Sequence, residues 1–165
     1  ALELIRELAP REDLLVGAGT VLTPAAVHAV ADAGGAFALS PVLDSDVLAA
    51  ARERDLLAIP GAATPTEVLA ARRAGAPLVK LFPSGPLGGP DYLRAVRGPL
   101  PDIPLVPTSG PTAGTMAAWL AAGAAAVGVG GEVLPPGWTE ATAIEAARRV
   151  RTAVDDARAA TPARS

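Results

Sequence analysis

The chain carries 165 residues, half of them hydrophobic but only 3% aromatic, with a net charge of -3. That length suits a single domain over 1–165 with a core of small side chains, and an acidic balance without basic clusters excludes a general nucleic-acid surface. The absence of cysteine excludes disulfides and thiolate metal sites, no other metal-ligand spacing occurs, and apolar runs such as 116–129 are too short and too rich in Ala and Gly to span a membrane.

Leu2, Leu4, Ile5 and Leu8 form a helical stripe closed by Pro10. No signal peptide is visible in this sequence, and a soluble cytoplasmic protein is the expectation. A strand-and-helix unit then repeats. Leu14–Gly17 reads as a strand leading to Gly19-Thr20, and Thr23 with Pro24 opens a helix that ends at Gly34. Phe37–Ser40 is the second strand, and Asp44 caps a helix running to about Arg54. Leu56–Ile59 leads into Pro60-Gly61, after which Thr64, Pro65 and Glu67 carry the spacing of a capping box; that helix stops at Gly75.

The fourth strand lies in Pro77–Pro83 and contains Lys80, the only lysine among 14 cationic side chains. A desolvated ammonium can release its proton and become a nucleophilic amine, whereas a guanidinium cannot. Schiff-base chemistry requires such an amine. A lysine snorkelling from a strand end, or paired with a carboxylate, is the structural alternative on these residues alone.

A Gly/Pro-rich loop and a helix over about Asp91–Arg97 follow, then a fifth strand at Pro104–Pro107 and a helix over about Thr112–Ala122. Ala126–Val129 reads as the sixth strand, Glu132–Leu134 as a short helical turn, and Thr139–Arg158 as a final amphipathic helix. Strand centres near residues 16, 38, 58, 79, 105 and 127 recur about every 20–26 residues, which implies a parallel α/β sheet with right-handed crossovers. A doubly wound sheet would gather its ligand groups at one switch point. Here every strand ends in loop chemistry, as at the C-terminal face of a TIM (β/α)8 barrel, so the barrel is the better reading. Six βα units and a leading helix then leave about two strands and one helix, on the order of 45 residues, to lie upstream of Ala1. A sheet left unclosed in that way would expose its hydrogen-bonding edges.

The loops Thr108-Ser109-Gly110 and Gly130-Gly131 stand where barrels bind phosphate on backbone N–H groups; the alternative is that these glycines only permit tight turns. Glu132 would repel an anion there unless its carboxylate points away. Thr20 could meet a ligand or bond its own loop. His28, between alanines and valines in a helix, reads as a surface or packing residue rather than a base. No Gly-x-Ser-x-Gly elbow or Walker loop occurs.

Taken in order, Gly17-Ala18-Gly19-Thr20-Val21-Leu22, Ser40-Pro41, Ile59-Pro60-Gly61, Val79-Lys80-Leu81-Phe82-Pro83, Pro107-Thr108 and Val129-Gly130-Gly131 resemble the bifunctional 4-hydroxy-2-oxoglutarate / 2-dehydro-3-deoxy-phosphogluconate aldolases. The 6-phosphogalactonate branch is equally close through Phe82-Pro83-Ser84, and the resemblance covers about residues 1–155. It implies a class I, metal-independent aldolase without a cofactor, usually a homotrimer of (β/α)8 barrels. By that resemblance Lys80 falls on the Schiff-base position of the sixth barrel strand and condenses with pyruvate or the 2-keto group. Thr20 then contacts the substrate, Pro60 and Phe82 line the pyruvate pocket, and Thr108 positions the imine or its carboxylate. Ser109, Gly110, Gly130 and Gly131 hold a phosphate. The expected partners are small molecules: a keto acid, pyruvate, and an aldehyde or aldehyde phosphate.

Three departures from the family pattern stand out. Its acid/base glutamate and carboxylate-binding arginine would fall upstream of Ala1. Glu12 precedes its strand and is no substitute, so this polypeptide alone is expected to turn over about 10²–10⁴-fold slower. Ser109 replaces a glycine common in the phosphogluconate branch, and Glu132 replaces a small hydroxyl residue. The last two leave an unphosphorylated keto acid open. Two other functions remain: a phosphate-binding isomerase or synthase that forms no imine, and a non-catalytic relative serving as an oligomer subunit or metabolite sensor.

Overall fold

Strands and helices alternate along most of the chain, except that β3 runs into β4 and no strand separates the last two helices. The elements are α1 (Leu2–Leu8), β1 (Gly17–Ala18), α2 (Pro24–Asp32), β2 (Phe37–Leu39), α3 (Ser45–Glu53), β3 (Leu57–Ile59), β4 (Gly61–Ala62), α4 (Pro65–Arg73) and β5 (Val79–Leu81). After these come α5 (Gly89–Arg97), β6 (Leu105–Pro107), a 3₁₀ turn (Ala113–Thr115) running into α6 (Met116–Ala121), and α7 (Glu140–Ala159). The structure, a computed structural model, describes residues 1–160; the last five residues of the domain expected over 1–165 lie outside the described residues. The chain divides into two compact units, Ala1–Lys80 and one that begins at Leu81. Among the described residues no helix is long and apolar enough to cross a membrane.

Helix starts follow local chemistry. Thr23 Oγ1 accepts from the Ala26 N–H at 3.2 Å with Pro24 at the first position. Asp44 Oδ1 accepts from the N–H groups of Asp46 (2.8 Å) and Val47 (3.1 Å). At α4 the capping box is complete: the Glu67 N–H donates to Thr64 Oγ1 at 3.3 Å, and Glu67 Oε2 accepts from the Thr64 N–H at 2.8 Å. Such caps satisfy donors that the first helical turn leaves unpaired. The Ala63 and Thr64 N–H groups also hold the Glu67 carboxyl below the usual carboxylate range.

In the first unit β1, β2 and β3 form a parallel sheet in sequential order, with Ala18 opposite Ala38 and Ala38 opposite Ala58. α2 packs on α3, and Ile5, Val27, Val30, Val47 and Leu48 are buried with these alanines. Small side chains on the sheet let the helices lie close, and each buried Val or Leu contributes about 1.5–3 kcal/mol. Pro60 interrupts the strand that would join β3 to β4. Its carbonyl accepts the Lys80 N–H at 2.8 Å, while the Ile59 carbonyl accepts from the Ser40 N–H at 3.1 Å. The break lets consecutive carbonyls of one extended segment serve two different neighbours.

In the second unit Leu93 and Val96 of α5, Leu105 of β6, and Met116 and Trp119 of α6 are fully buried. α7 packs on α6 and on the 3₁₀ turn. Three sequence expectations change here and at the start of the chain. Ala126–Val129 does not form a strand: it runs beside β6 through the bonds Ala125 N–H to Leu105 O and Gly128 N–H to Pro107 O, both 2.9 Å, with one bridge between Thr108 and Gly128. Glycines at 128, 130 and 131 supply no side chains to hold a longer ladder. Glu132–Leu134 is a turn closed on the Gly130 carbonyl by the N–H groups of Val133 (3.0 Å) and Leu134 (2.9 Å). The first strand shrinks from Leu14–Gly17 to Gly17–Ala18, and Leu15 is 85% exposed. The ladder to β2 begins where the Ala36 N–H reaches Val16 O at 2.7 Å, and among the described residues β1 pairs only with β2.

Candidate active site

β5 fixes the direction of the Lys80 side chain. Val79 and Leu81 are fully buried, so strand alternation turns Lys80 to the opposite face, where it is half-buried. Desolvation there lowers the pKa of its ammonium below the ordinary lysine value, because burial penalises the charged form. Across the break between β3 and β4, the buried Pro60 accepts the Lys80 N–H, which brings these two predicted site residues side by side.

The other strand ends of the first unit are tied together by backbone. The Val21 N–H donates to Leu39 O at 3.0 Å, immediately after Thr20. Ser40 is buried, and its Oγ accepts from the Val42 N–H at 3.3 Å. Gly61 allows the loop after β2 to close: a Cβ there would stand 2.1 Å from Pro41 O. Thr20 is exposed and holds a φ of 59°. A β-branched residue in the left-handed region costs on the order of 1–3 kcal/mol, and such strain concentrates at functional sites.

In the second unit the end of β5 meets the end of β6. Leu81 O accepts the Thr108 N–H at 3.0 Å. Ser84 is fully buried and gives two hydrogen bonds to Thr108 O, from its N–H (3.0 Å) and its hydroxyl (2.8 Å). The Thr108 backbone is thus saturated while its hydroxyl, in a residue 8% exposed, has no partner among the described residues. A buried polar atom without a partner costs about 1–3 kcal/mol, so this hydroxyl is available to a ligand. Gly128 makes room for it: a Cβ at 128 would lie 2.3 Å from Thr108 Cγ2. Phe82 is half-buried and joined to Pro83 by a cis peptide bond.

The predicted phosphate loops are open to solvent. Ser109, Gly110, Gly130 and Gly131 are all exposed. Ser109 has a φ of 60°, which accounts physically for a glycine being favoured at this position. Its carbonyl accepts the Gly85 N–H at 2.9 Å, which ties this loop to the one after β5. Glu132 turns its carboxylate back to the start of the 3₁₀ turn that leads into α6, where Oε2 accepts the Ala113 N–H at 2.7 Å. His28 lies half-buried on α2. Ser84, which ties the end of β5 to Thr108, is the residue that sequence reasoning passed over except as part of a matching string; a hydroxyl residue just after a buried strand was the available signal.

A half-buried amine of lowered basicity on β5 can act as a nucleophile toward a carbonyl, and the unpartnered Thr108 hydroxyl can bond a polar ligand. A family model described as KDPG and KHG aldolase matches residues 1–150. The 2-dehydro-3-deoxy-6-phosphogalactonate aldolase of Escherichia coli (strain K12) is 39% identical over 139 residues, 83% of this chain and 67% of that protein. Among solved structures, one described as native KDPGal superposes with a TM-score of 0.86 at 32% identity, covering 94% of this chain and 76% of that one. The KDPG aldolase of Legionella pneumophila, with pyruvate captured as a covalent carbinolamine intermediate, gives a TM-score of 0.77 at 29% identity, over 93% and 74% of the two chains. The matches span 67% to 52% of the length of the curated relatives. With the family model covering residues 1–150, the chain belongs to the KDPG and KHG aldolase family.

Proposed function

We propose that the chain carries the Schiff-base half of a class I aldolase that cleaves a 2-keto-3-deoxy (phospho)sugar acid or 4-hydroxy-2-oxoglutarate to pyruvate and an aldehyde. The observation that carries this is Lys80: the only lysine of the chain, half-buried on β5, with its basicity lowered by desolvation. The Lys80 amine adds to the C2 carbonyl to give a carbinolamine, which loses water to a protonated imine. Loss of the proton from the C4 hydroxyl then lets the C3–C4 electron pair flow into the imine, releasing the aldehyde and leaving an enamine. Protonation at C3 and hydrolysis free pyruvate and restore Lys80. The carbinolamine captured in the Legionella relative supports the first step.

In this reading Thr20 contacts the substrate, Pro60 and Phe82 line the pyruvate pocket, and the free hydroxyl of Thr108 positions the imine or its carboxylate. Ser109, Gly110, Gly130 and Gly131 present backbone N–H groups to a phosphate. We also assign the βα units of the chain to a single domain of (β/α)8 type, which the match of the family model over residues 1–150 supports. A cytoplasmic homotrimer completes the proposal.

Borohydride reduction with pyruvate tests it. A reduced adduct, found by intact mass and mapped to Lys80, is expected, and Lys80→Arg should abolish it. The absence of any adduct in folded protein carrying the full family domain would end the aldolase reading, and turnover retained by Lys80→Arg would favour an isomerase or synthase.

A further inference from the structure

The two loops expected to hold phosphate are joined by one side chain. Glu132 follows Gly130-Gly131 directly, in the turn closed on Gly130 O by the N–H groups of Val133 and Leu134. Its Oε2 reaches 19 residues back to accept the Ala113 N–H at 2.7 Å, just beyond Ser109-Gly110. Glu132 is half-buried, and the same helix start is further closed by the Thr112 N–H donating to Thr115 Oγ1 at 3.0 Å. A charge-assisted bond of this length restrains both ends strongly. A carboxylate spent on a backbone donor is also a different object from one aimed at an anion: its charge is partly answered, and its position is fixed by the turn.

We propose that Glu132 is a positioning residue that clasps the Gly130-Gly131 turn to the Ser109–Ala113 segment, setting the spacing of the backbone N–H groups that receive the phosphorylated end of the substrate. Glycine-rich loops exposed to water hold no fixed spacing of their own, since glycine is the residue with most backbone freedom to lose. The clasp supplies that order in advance, which lowers the entropy lost on binding. Glu132 thereby favours a phosphorylated aldehyde half, even though its charge, taken alone, opposes one. The inference rests on the proposed reading of these loops and deepens it.

Binding of glycerol 3-phosphate, followed by calorimetry, tests the clasp without requiring turnover. Glycerol serves as the comparison that lacks the phosphate. Glu132→Ala removes the acceptor and is expected to weaken glycerol 3-phosphate binding on the order of tenfold. Glu132→Gln keeps an acceptor for the Ala113 N–H and should recover most of that loss. Pyruvate trapping on Lys80, run on each variant, reports whether the fold survives. Equal or tighter glycerol 3-phosphate binding by Glu132→Ala would overturn the proposal and mark the carboxylate as a repelling charge. A loss shared by trapping and phosphate binding, unrelieved in Glu132→Gln, would reduce Glu132 to a fold residue and also overturn it. No glycerol 3-phosphate binding by the unaltered protein overturns it as well. Trapping that fails while the phosphate pattern holds would remove the aldolase reading and leave the clasp standing.

Discussion

A side-chain amine at the depth of Lys80 holds its proton less tightly than one in water, and this has a signed consequence. The rate of pyruvate adduct formation should rise with pH and level off with a midpoint below 10.5, the ordinary lysine value, when trapping is followed across alkaline pH. Between the lowered folded pKa and 10.5 the unfolded chain binds the proton and the folded one does not, so this group makes folding more favourable as pH rises through that window. At neutral pH Lys80 is therefore a cost to stability that function retains. Ser84 acts in the other direction. Ser84→Ala deletes its hydroxyl bond to Thr108 O while the backbone bond remains, and a loss of about 1–2 kcal/mol in urea unfolding is expected. Ser109→Gly should stabilise by about 0.5–1 kcal/mol, because the position keeps its left-handed conformation and glycine adopts it without the Cβ strain that serine carries.

Helices were legible residue by residue because their boundaries are written in local chemistry. Thr23 with Pro24, Asp44, and Thr64 with Glu67 each satisfy backbone donors within three residues, and Thr139 does the same for α7 by accepting the Thr142 N–H at 3.3 Å. Thr64→Ala should cost about 1 kcal/mol, measured by thermal or urea unfolding. Strands were less legible because a strand is made by its partner. Ala126–Val129 has the residues of a strand, yet only Gly128 bridges to Thr108. The candidate site divides along the same line. Lys80 could be found because its residue type is singular in the chain and its neighbours are a buried strand. The bonds from Ser84 to Thr108 and from Ala113 to Glu132 span 24 and 19 residues, and no local pattern announces contacts of that range. Gly128→Ala sharpens the point: an added methyl would drive into Thr108 Cγ2, and a loss of pyruvate trapping larger than the loss of stability is expected.

At the scale of the whole molecule, family membership and the βα repeat support the same fold class, and the proposed trimer is checked by light scattering, which should report three times the mass of the chain. The two compact units meet in sequence at Lys80 and Leu81, inside the strand that bears the proposed nucleophile. Because all other cationic side chains of the chain are arginines, a lysine-specific endoprotease acting on the denatured protein has one peptide bond to cut, and it is this one. The two fragments would correspond to the two units. Alkylation of the Lys80 amine by a reduced keto acid removes the recognised side chain, so cleaved and uncleaved bands on a gel would give the occupancy of the site directly, with the protease acting as the counter.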